Sequence, residues 1–210
     1  MKNPYTGKAY PGRVDIIFSG RVDIITEEMI MSEYYFTAAQ PAEAEEIFAL
    51  IDARIRWMDE MGIEQWNKSD YWKCYPRSYY FDAIGERKLY VVKEADCDRS
   101  CGEEGREEDG RCGRIAAAVV LRDADGRWPD DGRALYVHNL VTALDAGGAG
   151  AALLRFCERL AAERGKEFLR LDCAASNRRL NDYYEEQGYT LRGNVSDGAY
   201  AGNLREKALR

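Results

Sequence analysis

Two side chains in the second half of this sequence suit proton transfer near neutral pH: His138, its only histidine, and Tyr184. An imidazole, with a reference pKa of about 6.5, can take a proton from a nucleophile. A phenol, at about 10, can hand one to a leaving group. Between them lies "TALDAGGAGAALLRFCERL", Thr142 to Leu160, where three glycines and several alanines stand directly before an apolar-periodic helix. Small residues at a helix start let the backbone come close to a neighbour. Free N–H groups and the helix dipole there bind anions, but the same residues also permit tight helix–sheet packing. The stretch alone leaves both open. It lacks the Gly-Lys-Ser/Thr of the nucleotide phosphate loop, and no acidic residue stands at a strand end about 20 positions on, as the dinucleotide fingerprint requires.

Cysteine is the other chemistry-bearing residue: Cys74, Cys97, Cys101, Cys112, Cys157 and Cys173. Cys157 falls in a helical pattern and Cys173 in a strand pattern, where the thiol acts as a small buried hydrophobe. Cys97, Cys101 and Cys112 lie in "CDRSCGEEGREEDGRCGR". Structural zinc sites want four ligands, usually in close pairs, and none of those pairs is present. An acidic connecting loop over residues 96–113 is the better reading, and no metal is expected.

The elements that would position His138 and Tyr184 follow from periodicity and breakers. "EYYFTAA" reads as a strand. "PAEAEEIFALIDARIRWMDEMG" reads as a helix, with Pro41 at its start, early acidic residues and Gly62 as its stop. "DYWKCYPRSYYFDAIG" is a second helical region, interrupted or begun by Pro76. "KLYVVKE" and "RIAAAVVLRD" form a hairpin around the acidic loop. "RALYVHNLVTA" is a further strand, followed by the glycine stretch and a helix to Arg164. "EFLRLDCAA" is a strand, "NRRLNDYYEEQG" a helix, and "YTLRG" and "NLREKALR" are closing strands. The expected fold is α/β: one domain over residues 32–210, a mixed sheet flanked by helices. On a regular strand, His138 and Leu140 would share one face, Val137 and Asn139 the other.

Composition narrows the function classes. With 46% hydrophobic and 32% charged residues, the chain reads as globular rather than disordered. A net charge of −7 disfavours a broad nucleic-acid surface, which needs clustered cations. Neither a membrane span nor a signal-peptide core is evident, so cytoplasmic residence is the default. "GRVDIIFS" from Gly12 is followed at once by "GRVDIITE" from Gly20, too short a period for a solenoid. Residues 1–31 are therefore expected to be a leader outside the core.

The stretch "LRLDCAASNRRLNDYYEEQGY" resembles the closing motif of GNAT-family N-acetyltransferases: Leu171-Asp172, then Asn177, then Tyr184-Glu185 on a helix, then Gly188-Tyr189. "LYVHNLV" looks like that family's central strand, and "DAGGAG" like its pyrophosphate loop. "AYAGNLREKAL" is similar to the closing strand of many members, and "ARIRWMDEMGIEQW" resembles the first helix and loop of one bacterial branch. The resemblance spans about residues 33 to 210. It implies the GNAT fold with a centrally splayed sheet, acetyl-CoA as co-substrate, and acetyl transfer to an amine by direct attack in a ternary complex.

Roles implied by the resemblance attach to particular positions. Backbone N–H groups near Leu140 and Val141 would polarise the thioester carbonyl; Gly147, Gly148, Ala149, Gly150 and Ala151 would hold the pyrophosphate. Asn177 would contact the pantetheine or pyrophosphate region, or serve as an ordinary N-cap. Tyr184 would protonate the leaving thiolate, or pack in the core; Tyr183, about 100° around the helix, cannot face the same point. His138 is a candidate base or a hydrogen-bonded strand residue, and Glu64 acting through water is a second guess. Arg155, Arg178 and Arg179 could reach a ribose phosphate or simply be solvated. Trp57 and Trp66 come from the region that shapes the acceptor pocket. Two departures stand out: Asp145 occupies a place where Arg or Gln is usual, if Gly148 and Gly150 are the two small positions, and the loop from Thr142 to Gly148 is short. A second alignment would put Gly147 in the Arg position and Ala152 in the last small position instead. The acceptor is expected to be a small-molecule amine. A protein N-terminus or lysine, or a non-catalytic acyl-CoA-binding role, is the alternative, and homodimerisation is left open.

Overall fold

The computed structural model of the chain describes residues 34–68, 70–95, 113–129, 131–198 and 200–209. The expected leader and the loop holding Cys97, Cys101 and Cys112 lie outside the described residues.

Strand β1 (Tyr34–Ala38) is followed by a short 3-10 turn at Pro41–Glu43, where Gln40 and Glu43 cap each other reciprocally. Helix α1 (Ala44–Glu60) comes next and buries Ile47, Phe48, Ile51 and Met58. Gly62 stops it at φ 66°, a conformation glycine reaches without a Cβ clash. Pro76 divides the second helical region, as its ring and missing N–H require. It ends α2 (Tyr71–Cys74) and caps α3 (Arg77–Gly85). The hairpin of β2 (Leu89–Glu94) and β3 (Ile115–Arg122) is antiparallel. Then come β4 (Ala134–Thr142), α4 (Ala149–Glu163), β5 (Phe168–Ala174) and α5 (Arg178–Glu186).

The closing hairpin differs from the sequence expectation. β6 runs Thr190–Asp197 and β7 runs Tyr200–Ala208, paired up to Asp197↔Tyr200. Both strands extend to a tight turn through Gly198 at φ 58°. Glycine at the first central position of the turn, where φ is positive, is a hairpin signal, and it outweighs the polar composition of this stretch.

The strands form one open sheet in the order β1-β2-β3-β4-β5-β7-β6. Helices α4 and α5 cover one face. There Val92, Val119, Leu135, Val137 and Leu140 pack with Ala152, Leu153, Phe156 and Tyr184. Helices α1 to α3 cover the other, where Val91, Ala118, Val120 and Val141 meet Ile47, Phe48, Trp66 and Tyr80. Each large apolar side chain so enclosed contributes about 1.5–3 kcal/mol. Two separate cores thus grip the central strands from either side.

Candidate active site

β4 and β5 are parallel neighbours, yet they pair only through Ala134↔Phe168, Leu135↔Leu169 and Tyr136↔Arg170. Past Tyr136 the two strands part. Each stays bound to its outer neighbour, β4 to β3 as far as Thr142 and β5 to β7 as far as Ala174. The inner edge of β4 from Val137 onward therefore offers main-chain N–H and C=O groups with no strand partner.

At the same level β4 carries a bulge. Its pairing with β3 runs Val137↔Leu121 and His138↔Val120, then resumes at Val141↔Ala118. Asn139 and Leu140 together stand opposite Val119, and Asn139 takes φ 50°. Asparagine is among the few residues that tolerate this region. The expected strict alternation is corrected here: Leu140 joins Val137 in the α4-side core instead of sharing a face with His138. The bulge costs one step of register, so His138 and Asn139 both serve the α1–α3 side. Asn139 is locked there: the Tyr79 hydroxyl donates to its Oδ1 (2.9 Å) and its Nδ2 donates to the Tyr71 hydroxyl (3.1 Å).

Beside the parting strands lies a polar cluster. His138 Nε2 is 3.2 Å from Asp125 Oδ2, with the two side chains only 16% and 10% exposed. Asp172 of β5 accepts from the Tyr200 hydroxyl (2.5 Å) and from Arg127 (3.0 Å). Burial raises the Asp172 carboxyl above the usual aspartate range, outweighing the neighbouring Arg127 guanidinium. Burial pushes Asp125 the same way, but there His138 and the Arg127 backbone N–H prevail and hold it below that range. Tyr75, buried beside Tyr79 and Tyr71, is pushed well up. Sequence reasoning missed Asp125, Arg127 and Tyr200, and met Asp172 only as a motif letter. The available signal was an aspartate set between the apolar Leu171 and Cys173 of a buried strand.

The glycine stretch sits on the opposite side of β4. Gly148 is the N-cap of α4 at φ 80°, followed by the buried Ala149, Gly150 and Ala151. The Tyr34 hydroxyl donates to the Gly147 carbonyl (2.9 Å), and a Cβ added at Gly147 would meet nothing within 4 Å. Asp145 is turned aside, 71% exposed, and takes both its bonds from Arg114 at 2.9 and 3.0 Å. Glu94 holds the same guanidinium at 2.6 Å. The charge opposite in sign to the usual residue is thus tied to a cation.

The remaining sites divide. Tyr184 is fully buried, edge-on to Tyr189 at 5.6 Å, in the same core as Leu140. Asn177 caps α5, accepting from the Leu180 N–H at 3.0 Å. Trp66 is buried against Tyr71 (4.7 Å), and Trp57 is half-buried under the Arg54 guanidinium (5.2 Å). Arg178 is almost wholly in solvent, and Glu64 is exposed beside Lys68, so neither is brought to the parted strands. Cys157 and Cys173 are buried, as hydrophobes of their size should be. Among the described residues no cluster of His, Cys, Asp and Glu is placed to hold a metal, and no helix is long and apolar enough to cross a membrane.

A family profile described as the acetyltransferase (GNAT) family matches residues 51–189. The chain belongs to the GNAT family of acetyltransferases. None of the curated proteins matches the sequence. Among solved structures, a GNAT acetyltransferase from Listeria monocytogenes is similar over 84% of this chain and 95% of its own, at 23% identity and TM-score 0.62. One from Streptococcus agalactiae covers 83% and 95%, at 20% identity and TM-score 0.56. The PaiA N-acetyltransferase of Thermoplasma acidophilum, solved in complex with coenzyme A, covers 83% and 98%, at 14% identity and TM-score 0.57. These likenesses establish the GNAT fold, an open mixed sheet of seven strands flanked by helices.

The GNAT co-substrate suits this cradle. A left-handed glycine and three small buried residues keep side chains away from the first turn of α4, where N–H groups lack intrahelical partners. Gly148 to Ala151 would hold a diphosphate there, and the unpaired edge of β4 would run beside the pantetheine arm.

Proposed function

We propose that this GNAT protein moves an acetyl group from acetyl-CoA to a primary amine of a small molecule, by direct attack with both substrates bound. Acetyl-CoA brings the activated thioester. The observation that carries the reading is the parting of β4 and β5 between the glycine-rich start of α4 and the His138 cluster. One side can anchor a phosphate and the other can manage an amine proton.

Each chemical need has a residue. His138 takes the proton from the attacking amine, since only the neutral amine has a lone pair to form the N–C bond. The main-chain N–H of Leu140, beside the bulge, faces the negative charge that develops on the carbonyl oxygen, whereas Val141, paired with Ala118, turns its own N–H to β3. Such a donor is worth about 3–4 kcal/mol in other acyl transfers. Tyr184 delivers a proton to the departing sulfur as the C–S bond breaks, and Asn177 fixes the start of the helix that carries it. The small-molecule reading is favoured by the enclosing aromatics. Trp66, Tyr71, Tyr79 and Tyr80 gather in one buried cluster with the partly exposed Trp57 and Trp72 packed against it, an aromatic surround that suits a compact amine with apolar substance.

Titration calorimetry with acetyl-CoA, followed by thiol release against a panel of small amines and peptides, tests the proposal. Binding with turnover on small amines is expected. Turnover on peptides alone would shift the acceptor class, and binding without any turnover would leave an acyl-CoA-binding domain.

A further inference from the structure

Asp125 sits in the β3–β4 connection and spends its two carboxylate oxygens on different tasks. Oδ1 accepts the backbone N–H of Arg127 at 2.9 Å, closing a local turn. Oδ2 lies 3.2 Å from His138 Nε2, within ion-pair distance though off the line that a ring N–H bond would take. The pair is mostly enclosed, with Asp172 and Arg127 the other charged groups acting within the cluster. A carboxylate has only acceptor sites, so the ring nitrogen facing it must carry a hydrogen; two opposed lone pairs would repel. In a neutral imidazole the other nitrogen then holds the lone pair. His138 Nδ1 takes no hydrogen bond from the protein among the described residues, so that lone pair is uncommitted.

We propose that Asp125 is a positioning residue that holds His138 in the tautomer protonated at Nε2, leaving Nδ1 as the basic nitrogen on the acceptor face. Its importance for turnover rests on the acetyl-transfer reading; the tautomer does not. In the reaction, Nδ1 takes one proton from the amine nitrogen as the N–C bond forms. The C–S bond breaks, its electron pair leaves on sulfur, and Tyr184 supplies the proton that neutralises it. Asp125 takes no proton. It stabilises the imidazolium formed during the step and restores the same tautomer afterwards.

A single histidine makes this directly readable, because nitrogen-15 spectra of the full chain contain one imidazole. With the ring neutral at alkaline pH, the wild type should show a protonated Nε2 and an unprotonated Nδ1. Asp125→Asn keeps Oδ1 for the Arg127 turn but can place an amide donor where Oδ2 stood, which favours the opposite tautomer. That variant should invert the two nitrogen signals and lower kcat by about 10- to 100-fold, less than the roughly 100- to 10,000-fold that proton-transfer catalysis supplies in full, with the amine KM changed less than about twofold. Asp125→Glu, which restores an acceptor, should recover the original tautomer. A wild-type ring protonated at Nδ1 overturns the proposal, as does an Asn variant with inverted signals and unchanged kcat. The wild-type spectrum alone decides the tautomer if the Asn variant fails to fold. A wild type without turnover but with Nε2 protonated would remove the transferase reading while upholding the tautomer.

Discussion

The two ends of the β4–β5 junction are built on opposite principles. At the closed end, Arg170 of β5 binds Glu206 (2.7 Å), Asp131 (2.9 Å) and the Tyr136 hydroxyl (3.0 Å), and lies over the Trp128 ring at 4.9 Å. Every partner there is a neighbour in the sheet or its edge loop, and the result is a seal. At the open end the same strands carry Asp172 and His138, whose partners Arg127, Asp125 and Tyr200 come from loops and β7. A bulge at Asn139 diverts β4 further from β5. A sheet can therefore be zipped by one buried arginine and opened two residues later by polar groups turned to other partners.

The comparison can be broken from the closed end first. Arg170→Ala takes the nearer of two cations from the buried Glu206, leaving the half-exposed Arg192 at 3.2 Å, and should lower unfolding free energy by about 3 kcal/mol, the low end for a buried pair. Denaturant melts read this, and an unchanged midpoint would deny the seal. At the open end the effects should fall on rate. Tyr184→Phe should cut kcat by about 100-fold, with acetyl-CoA affinity held within about twofold. Equal turnover would rule out its acid role.

Smaller changes sharpen the picture. Asn139→Ala strips the Tyr79 and Tyr71 hydroxyls of a buried partner and should cost about 2 kcal/mol of stability. Gly148→Ala, at φ 80°, should cost about 1 kcal/mol and weaken acetyl-CoA binding several-fold by calorimetry. The smallest effect is a slope with pH. Burial raises the Asp172 carboxyl, so the folded state holds its proton more tightly than the unfolded chain and stability falls as pH rises above about 3.9. Asp125, lowered by His138 and Arg127 despite burial, works oppositely, and its contribution is lost as pH falls below that value. Asp172→Asn should accordingly gain on the wild type as pH rises from about 4 towards 7, and a constant difference would contradict this.

How far the sequence foretold this depends on whether the signal was local. The glycine start of α4 and the Pro76 break are decided by neighbours in the chain, and both stand where periodicity and breakers put them. The bulge at Asn139 and the meeting of Asp125 with His138 are set by sheet register, which no short stretch encodes. Asp145 shows the same divide: its identity was plain, but its pairing with Arg114 across the fold was not. The closing hairpin is the converse case, since Gly198 carried a local turn signal that polar composition obscured.

A crystal structure with acetyl-CoA tests the central claim most directly. The diphosphate should rest on the backbone amides of Gly148 to Ala151, with the pantetheine arm along the free edge of β4 from Val137 to Val141 and the acetyl group near Leu140. A co-substrate bound elsewhere, or a junction that stays empty at saturating concentration, would contradict it.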